Sequence, residues 1–182
     1  MTNRVFVTSD THFGHANIIK YCSRPFASAN EMDAAMIARW NARVRDDDVV
    51  FHLGDFAFAR EDRILAILEQ LQFEELIIVP GNHDKELLNI PRDRIPNGVT
   101  IMNDLHEFNH DGKMFVTCHF PMEEWNKCHK GSIHLHGHTH NNSGHHKTAR
   151  IPRRYDIGVD MYGGPVQLTG DCRYLNDPKG WA

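Results

Sequence analysis

No stretch of this chain approaches the ~18 consecutive apolar residues that a membrane-crossing helix needs. The N-terminus carries no apolar h-region either: Arg4-Val5-Phe6-Val7 leads straight to Asp10 and His12. Removal of a signal of ordinary length would discard both residues, so a secreted product is not expected. Cysteine is sparse, at positions 22, 118, 128 and 172, and none is arranged as C-x-x-C. A chain of 182 residues can fold without covalent staples, so these read as reduced thiols of a cytoplasmic protein. Cys118 abuts His119, but neighbours in a strand face opposite sides, so it is expected to point away. Positive charge is also short. Twenty Lys and Arg stand against 24 Asp and Glu, for a net charge of -4 and a pI near 6.4. Duplex nucleic acid is therefore a poor partner, whereas a small anion stays compatible, because bound cations can invert a local field. No internal repeat, low-complexity tract or linker interrupts the chain. It reads as one domain over residues 1–182, with an irregular tail from Gly170.

Histidine is the excess, with 14 residues, many of them between 134 and 146. The strand and helix signals show where these fall. Val5-Phe6-Val7, Val49 to Leu53 and Leu76 to Val79 are short, continuously apolar runs. Between them lie a short helix within Gly14 to Cys22, an amphipathic helix after Ser28, and a helical pattern over Glu61 to Leu71. Ser28 and Glu31 fit a capping box, and Met32, Ala35, Met36, Ile37 and Trp40 would face a core. Apolar strands alternating with helices indicate a parallel sheet covered on both faces. The second half reads differently. Leu105 to Phe108 and Met114 to Thr117 flank a hairpin signal at Asn109-His110-Asp111-Gly112. Further strands are expected at Ser132 to His136, Tyr155 to Asp160 and Val166 to Leu168. Together they would build a second, mixed or antiparallel sheet. Asn141 to Arg150 reads as a polar loop.

Each strand end carries a short cluster of metal-ligand residue types. In order these are Asp10-Thr11-His12, Gly54-Asp55, Gly81-Asn82-His83-Asp84, Cys118-His119 and Gly137-His138-Thr139-His140. In an open α/β sheet the carboxyl ends of parallel strands share one edge, so that edge is where these residues should meet. Asp10, His12, Asp55, Asn82, His119, His138 and His140 would suffice for two divalent cations, and two adjacent cations imply chemistry on a phosphate ester. A shell of carboxylate, amide and imidazole suits Mn, Fe, Zn, Co or Ni better than Mg or Ca. Manganese is the first expectation.

The series D-x-H, G-D, G-N-H-D, H and G-H-x-H, in this order from Asp10 to His140, resembles the calcineurin-like metallophosphoesterase superfamily. The resemblance implies a four-layer α/β/β/α sandwich with two mixed sheets. It implies Asp10, His12, Asp55 and His140 on one metal, and Asp55, Asn82, His119 and His138 on the other, with Asp55 bridging. It further implies in-line attack on phosphorus by a metal-bridging hydroxide. His83 would protonate the leaving oxygen, and Asn82 would also touch a phosphoryl oxygen. One departure narrows the branch. Where Ser/Thr protein phosphatases carry G-D-x-x-D-R-G, this chain has Gly54-Asp55-Phe56-Ala57-Phe58-Ala59-Arg60. Phe58 replaces the second Asp, so the carboxylate that would orient His83 is missing, and Asp84 is a possible substitute. The small phosphodiesterases of bacteria and their phages fit better, and the opening Asp10-Thr11-His12-Phe13-Gly14-His15 looks like theirs.

Other residues keep two readings. His15 would contact substrate phosphate or cap a helix. Arg24 would fork onto a phosphate or form a surface ion pair. His134 and His136 share one strand face, with His136 the nearer to the site. His52 reads as a core histidine. His145, His146, Lys147 and Arg150 would form a basic lip or a solvated run. The expected activity is metal-dependent hydrolysis of a small, soluble phosphate ester, a nucleotide among the candidates, with a diester preferred. The alternatives are a non-catalytic scaffold on the same fold, which should lack some ligands, and a structural metal domain, which would use a closed site with Cys.

Overall fold

The computed structural model describes residues 4–140, 151–176 and 178–181. The basic lip and polar loop expected at 141–150 lie outside the described residues. Two sheets stack face to face. The first has the order β4-β3-β2-β1-β9, built from β1 (Val5–Thr8), β2 (Val49–His52), β3 (Glu75–Ile78), β4 (Val99–Ile101) and β9 (Val166–Gln167). Four of these strands run parallel, and β9 lies antiparallel on β1. The second has the order β5-β6-β7-β8, from β5 (Leu105–His110), β6 (Lys113–Cys118), β7 (Ile133–His136) and β8 (Arg154–Asp156). The β5–β6 hairpin is antiparallel and β6, β7 and β8 are parallel, so this sheet is mixed.

Strand alternation explains the two cores. Phe6, Val50, Leu76 and Ile78 point to a helical layer with Met32, Met36, Trp40, Ile64 and Leu68. Their chain neighbours Val7, Phe51 and Ile77 point the other way, onto Phe115, Ile133 and Leu135 of the second sheet. Both faces of the first sheet are thus apolar, which is why its strands read as unbroken hydrophobic runs. The helical layer comprises α1 (Ala16–Tyr21), α2 (Ala29–Asn41), α3 (Glu61–Leu68) and α4 (Lys85–Asn89). Ser28 caps α2 by accepting from the Glu31 N–H at 3.2 Å. The Glu31 carboxylate reaches one residue further back than a capping box predicts, to the Ala27 N–H. The far layer is thin: Trp125, in the connection from β6 to β7, packs on His134 on the outer face of β7. Among the described residues no helix is long and apolar enough to cross a membrane.

Two expectations change. The strand expected over Tyr155 to Asp160 stops at Asp156; Val159–Tyr162 forms a helical turn, α5, opened by Gly158 and closed by Gly163 at φ +68. The strand at Val166 belongs to the first sheet rather than the second. Among the described residues beyond Gly170, Arg173–Asn176 forms a 3-10 turn, Cys172 and Leu175 are buried, and Trp181 lies over the guanidinium of Arg24 at 5.5 Å.

Candidate metal centre

The carboxyl ends of β1, β2, β3, β6 and β7 converge on one edge, and their loops interlock there. The 10–13 segment extends the β1–β2 pairing: Asp10 N–H donates to Gly54 O, His12 N–H to Asp55 O and Phe13 N–H to Phe56 O, each at 2.9 Å. Glycines let these loops touch. A Cβ on Gly54 would collide with Gly81 and His119, one on Gly81 with Asp55, and one on Gly137 with Asp10 and Ser9. This is the physical reason a glycine precedes the ligand-type residue in three of the clusters. Asp10, His12, Asp55, His138 and His140 all adopt positive φ, between +49 and +69. Non-glycine residues held there carry strain that the surrounding contacts must overcome, a condition typical of functional sites.

Among the described residues three triads result, in each of which one potential ligand atom per residue lies within 4.8 Å of the others: Asp10, His12 and His140; Asp55, His119 and His138; and Cys22, His140 and Asp160, which shares His140 with the first. Asp55 adjoins the first two, with Oδ2 at 3.4 Å from His12 Nε2 and 3.3 Å from His119 Nε2. The orientation of each group is fixed from behind. The Nδ1 of His119 meets the Leu53 carbonyl at 2.8 Å. The carboxylate of Asp10 accepts the His138 N–H at 2.9 Å and the Ser9 hydroxyl at 2.6 Å. The Oδ1 of Asp55 accepts the His83 N–H at 2.8 Å. Among the described residues three buried imidazole nitrogens have no hydrogen-bond partner: His52 Nδ1 in the core, and His12 Nε2 and His119 Nε2, which both face Asp55. Buried orphans of this kind are rare in folded proteins, and a divalent cation is the partner that a ring of imidazole and carboxylate atoms suits.

Electrostatically the groups divide. Burial holds the His12 imidazole neutral, its pKa pushed down to about 2, which leaves the lone pair free. Burial pushes Asp10 up to about 6, a sign of carboxylate charge short of compensation. Burial also works against ionised Asp55, but the His119 imidazole 3.3 Å away holds it well below the usual carboxylate range. His140 rises to about 10 against its own burial, chiefly through the Asp160 carboxylate. A cavity of about 380 Å³ opens over these groups, lined by His12, His15, Asp55, His83, His138 and His140 among others.

The family model for the calcineurin-like phosphoesterase superfamily domain matches residues 4–152, most of the chain. The chain belongs to that superfamily. Protein MJ1445 of Methanocaldococcus jannaschii is 34% identical over 160 residues, covering 87% of this chain and 81% of that one. The crystal structure of AQ665 from Aquifex aeolicus superposes with a TM-score of 0.70 at 23% identity, covering 91% of this chain and 96% of that one. Nuclease MPE of Pseudomonas putida shares the fold at a TM-score of 0.50 and 21% identity, over 75% of this chain and 61% of that one.

Within this calcineurin-like chain the expected residues divide. His15 lines the cavity, with its Nδ1 at 3.5 Å from the Nδ1 of His12. His83 lines it too, its ring 5.3 Å from that of His12. Asn82 is exposed at the rim, on a neighbouring groove. Arg24 forms the ion pair of one reading, but inside the protein rather than at the surface. Its side chain is fully buried, and its guanidinium is spent on the Asp160 carboxylate at 2.8 and 2.9 Å, Thr11 O at 2.9 Å and Asp10 O at 2.7 Å. It braces the 10–12 loop from behind and has no donor to spare for a phosphate. Asp84 does not orient the His83 ring: its buried carboxylate accepts the backbone N–H groups of Asp55, Phe56 and Gly81, all at 2.8 Å. His134 and His136 are buried on the outer face of β7 and do not line the cavity. His52 is a core histidine whose Nε2 lies 2.9 Å from the Thr11 hydroxyl, which itself donates to Phe56 O.

Sequence reasoning missed Asp160. Its carboxylate meets His140 Nδ1 at 2.8 Å and Arg24 on its other side, so it sets the orientation of His140. The only hint was an acid close after the last histidine cluster, hidden in what reads as a strand. The metal-free protein should show how much this brace carries. Arg24→Leu is expected to lower unfolding free energy by ~3–5 kcal/mol, because buried Asp160 would keep only His140 and the Thr11 and Asp10 carbonyls would lose their buried donor. Urea denaturation of the metal-free protein measures it, and a loss below ~1 kcal/mol would show the brace to be dispensable.

Proposed function

We propose that this phosphoesterase is a phosphodiesterase that works with two divalent transition-metal ions. Asp10, His12, Asp55 and His140 would hold one ion, and Asp55, Asn82, His119 and His138 the other. The observation that carries this reading is the place of Asp55, within 3.4 Å of an orphan nitrogen from each side of the site. One carboxylate facing both sets suits a shared ligand. When bound, the pair of ions supplies Lewis-acid activation of water and neutralises phosphoryl oxygens. Manganese is the first choice, and Fe, Zn, Ni or Co also suit the donor set.

The chain's own residues do the rest. His83 stands at the cavity mouth with its backbone tied to Asp55, so its ring is free to give a proton to the departing oxygen. Asn82 beside it offers an amide to a phosphoryl oxygen. His15, against His12, offers an imidazole to the substrate phosphate. The four unpaired cysteines suit a cytoplasmic, reducing setting. A diester fits better than a monoester because a groove of about 990 Å³ continues past His83, giving room to a second ester arm.

The test strips the metal and restores Mn²⁺, Ni²⁺, Zn²⁺ or Mg²⁺ in turn. Bis-p-nitrophenyl phosphate is compared with p-nitrophenyl phosphate. Turnover that returns with transition metals and favours the diester is expected. Metal-independent turnover, or cleavage of the monoester alone, would overturn the reading.

A further inference from the structure

The site has an unusual rim. Among the described residues six large hydrophobic side chains are more than 40% exposed, and three of them, Tyr21, Phe58 and Phe120, touch the histidine cluster. Phe58 stacks on His15, with centroids 4.6 Å apart and planes at 29°, and sets its edge toward His83 at 5.9 Å. Phe120 lies 5.0 Å from His119 and 4.7 Å from His138. Tyr21 meets His15 edge-on at 6.4 Å. Phe120 thus sits beside the Asp55 triad, and Phe58 and Tyr21 reach the Asp10 triad through His15. Core packing does not explain them, since half of the Phe58 surface is in water, and leaving apolar area there is unfavourable. Flat rings held against fixed imidazoles, with surface still open, are suited to stacking a second ring.

The groove beyond His83 adds room but no net charge. Its walls carry Arg60, Lys85 and Arg94 against Glu61, Asp62 and Glu86, three cations to three carboxylates, with Arg94 paired to Glu61 and Asp62. A balanced wall offers no track for a long polyanionic strand, which suits a short substrate.

We propose that the Phe58–Phe120–Tyr21 rim stacks nucleobases, so that the substrate is a short single-stranded nucleotide diester. This rests on the phosphodiesterase reading above and names its substrate class. Aromatic stacking supplies affinity for any base.

The experiment uses full-length, manganese-loaded protein and two diesters, dithymidine phosphate and the same diester with an abasic sugar on one arm. Bis-p-nitrophenyl phosphate is run in parallel. The base-bearing diester should show a kcat/KM at least ~10-fold higher, expressed in KM, as one stacked base provides. Phe120→Ala should bring the two diesters within about two-fold of each other, a ratio read within the variant so that any change in its overall rate cancels. If bis-p-nitrophenyl phosphate is cleaved but the abasic and base-bearing diesters are equal, the rim proposal fails alone. If no diester is cleaved, it fails together with the reading beneath it.

Discussion

Asp55→Asn is expected to abolish turnover, by a factor on the order of 10³ or more, and to loosen both metals together. The amide matches the carboxylate in size and can still accept the His83 N–H through its oxygen, so the loop should fold as before. What is lost is the negative charge and the second oxygen, which faces His12 Nε2 and His119 Nε2. In the variant either an amide N–H₂ or an uncharged oxygen meets those lone pairs, and neither serves as a shared ligand. The check is bis-p-nitrophenyl phosphate turnover beside metal content by elemental analysis, with circular dichroism to confirm the fold. Full activity with both metals retained would remove Asp55 from the bridging position.

His83→Ala should act in the opposite manner. The His83 ring belongs to none of the triads, so metal content should hold. The rate should fall by ~10²–10⁴-fold, the usual yield of a positioned acid or base. The loss should be steepest for alkyl esters, whose alkoxide needs a proton to depart, and shallowest for p-nitrophenyl esters, whose anion departs unaided. A series of diesters of graded leaving-group basicity separates the roles. An equal loss across the series would assign His83 to binding or packing instead of proton transfer. Since Phe58 stands where the protein phosphatases carry a second Asp, and Asp84 is engaged by the backbone, the ring is steadied by its neighbours His12 and Phe58 rather than by a carboxylate.

Much of this site was legible because the ligand-type residues follow strands whose apolar runs are hard to misread. Val5-Phe6-Val7, Val49 to Leu53 and Leu76 to Val79 mark three parallel neighbours, and parallel neighbours end on one edge. The motif glycines carried a signal that went unread, since Gly54, Gly81 and Gly137 each stand at a point of loop-to-loop contact. Short elements were harder. The strand β4 has three residues and the helix α5 has four, too few for either periodicity to register. The pairing of β9 with β1 joins residues about 160 positions apart, and no local signal carries it. Arg24 was misread because a lone arginine looks the same whether its partner is a ligand or a buried acid. Its partner, Asp160, lies 136 residues away.

The central claim is that two ions sit on either side of Asp55. Elemental analysis of protein saturated with Mn²⁺ and then freed of excess by gel filtration tests it most directly, run on wild type, His12→Ala and His119→Ala. The account predicts about two equivalents per chain in wild type and about one in each variant, because each histidine belongs to a different triad. A single equivalent in wild type, or two retained in both variants, would contradict it.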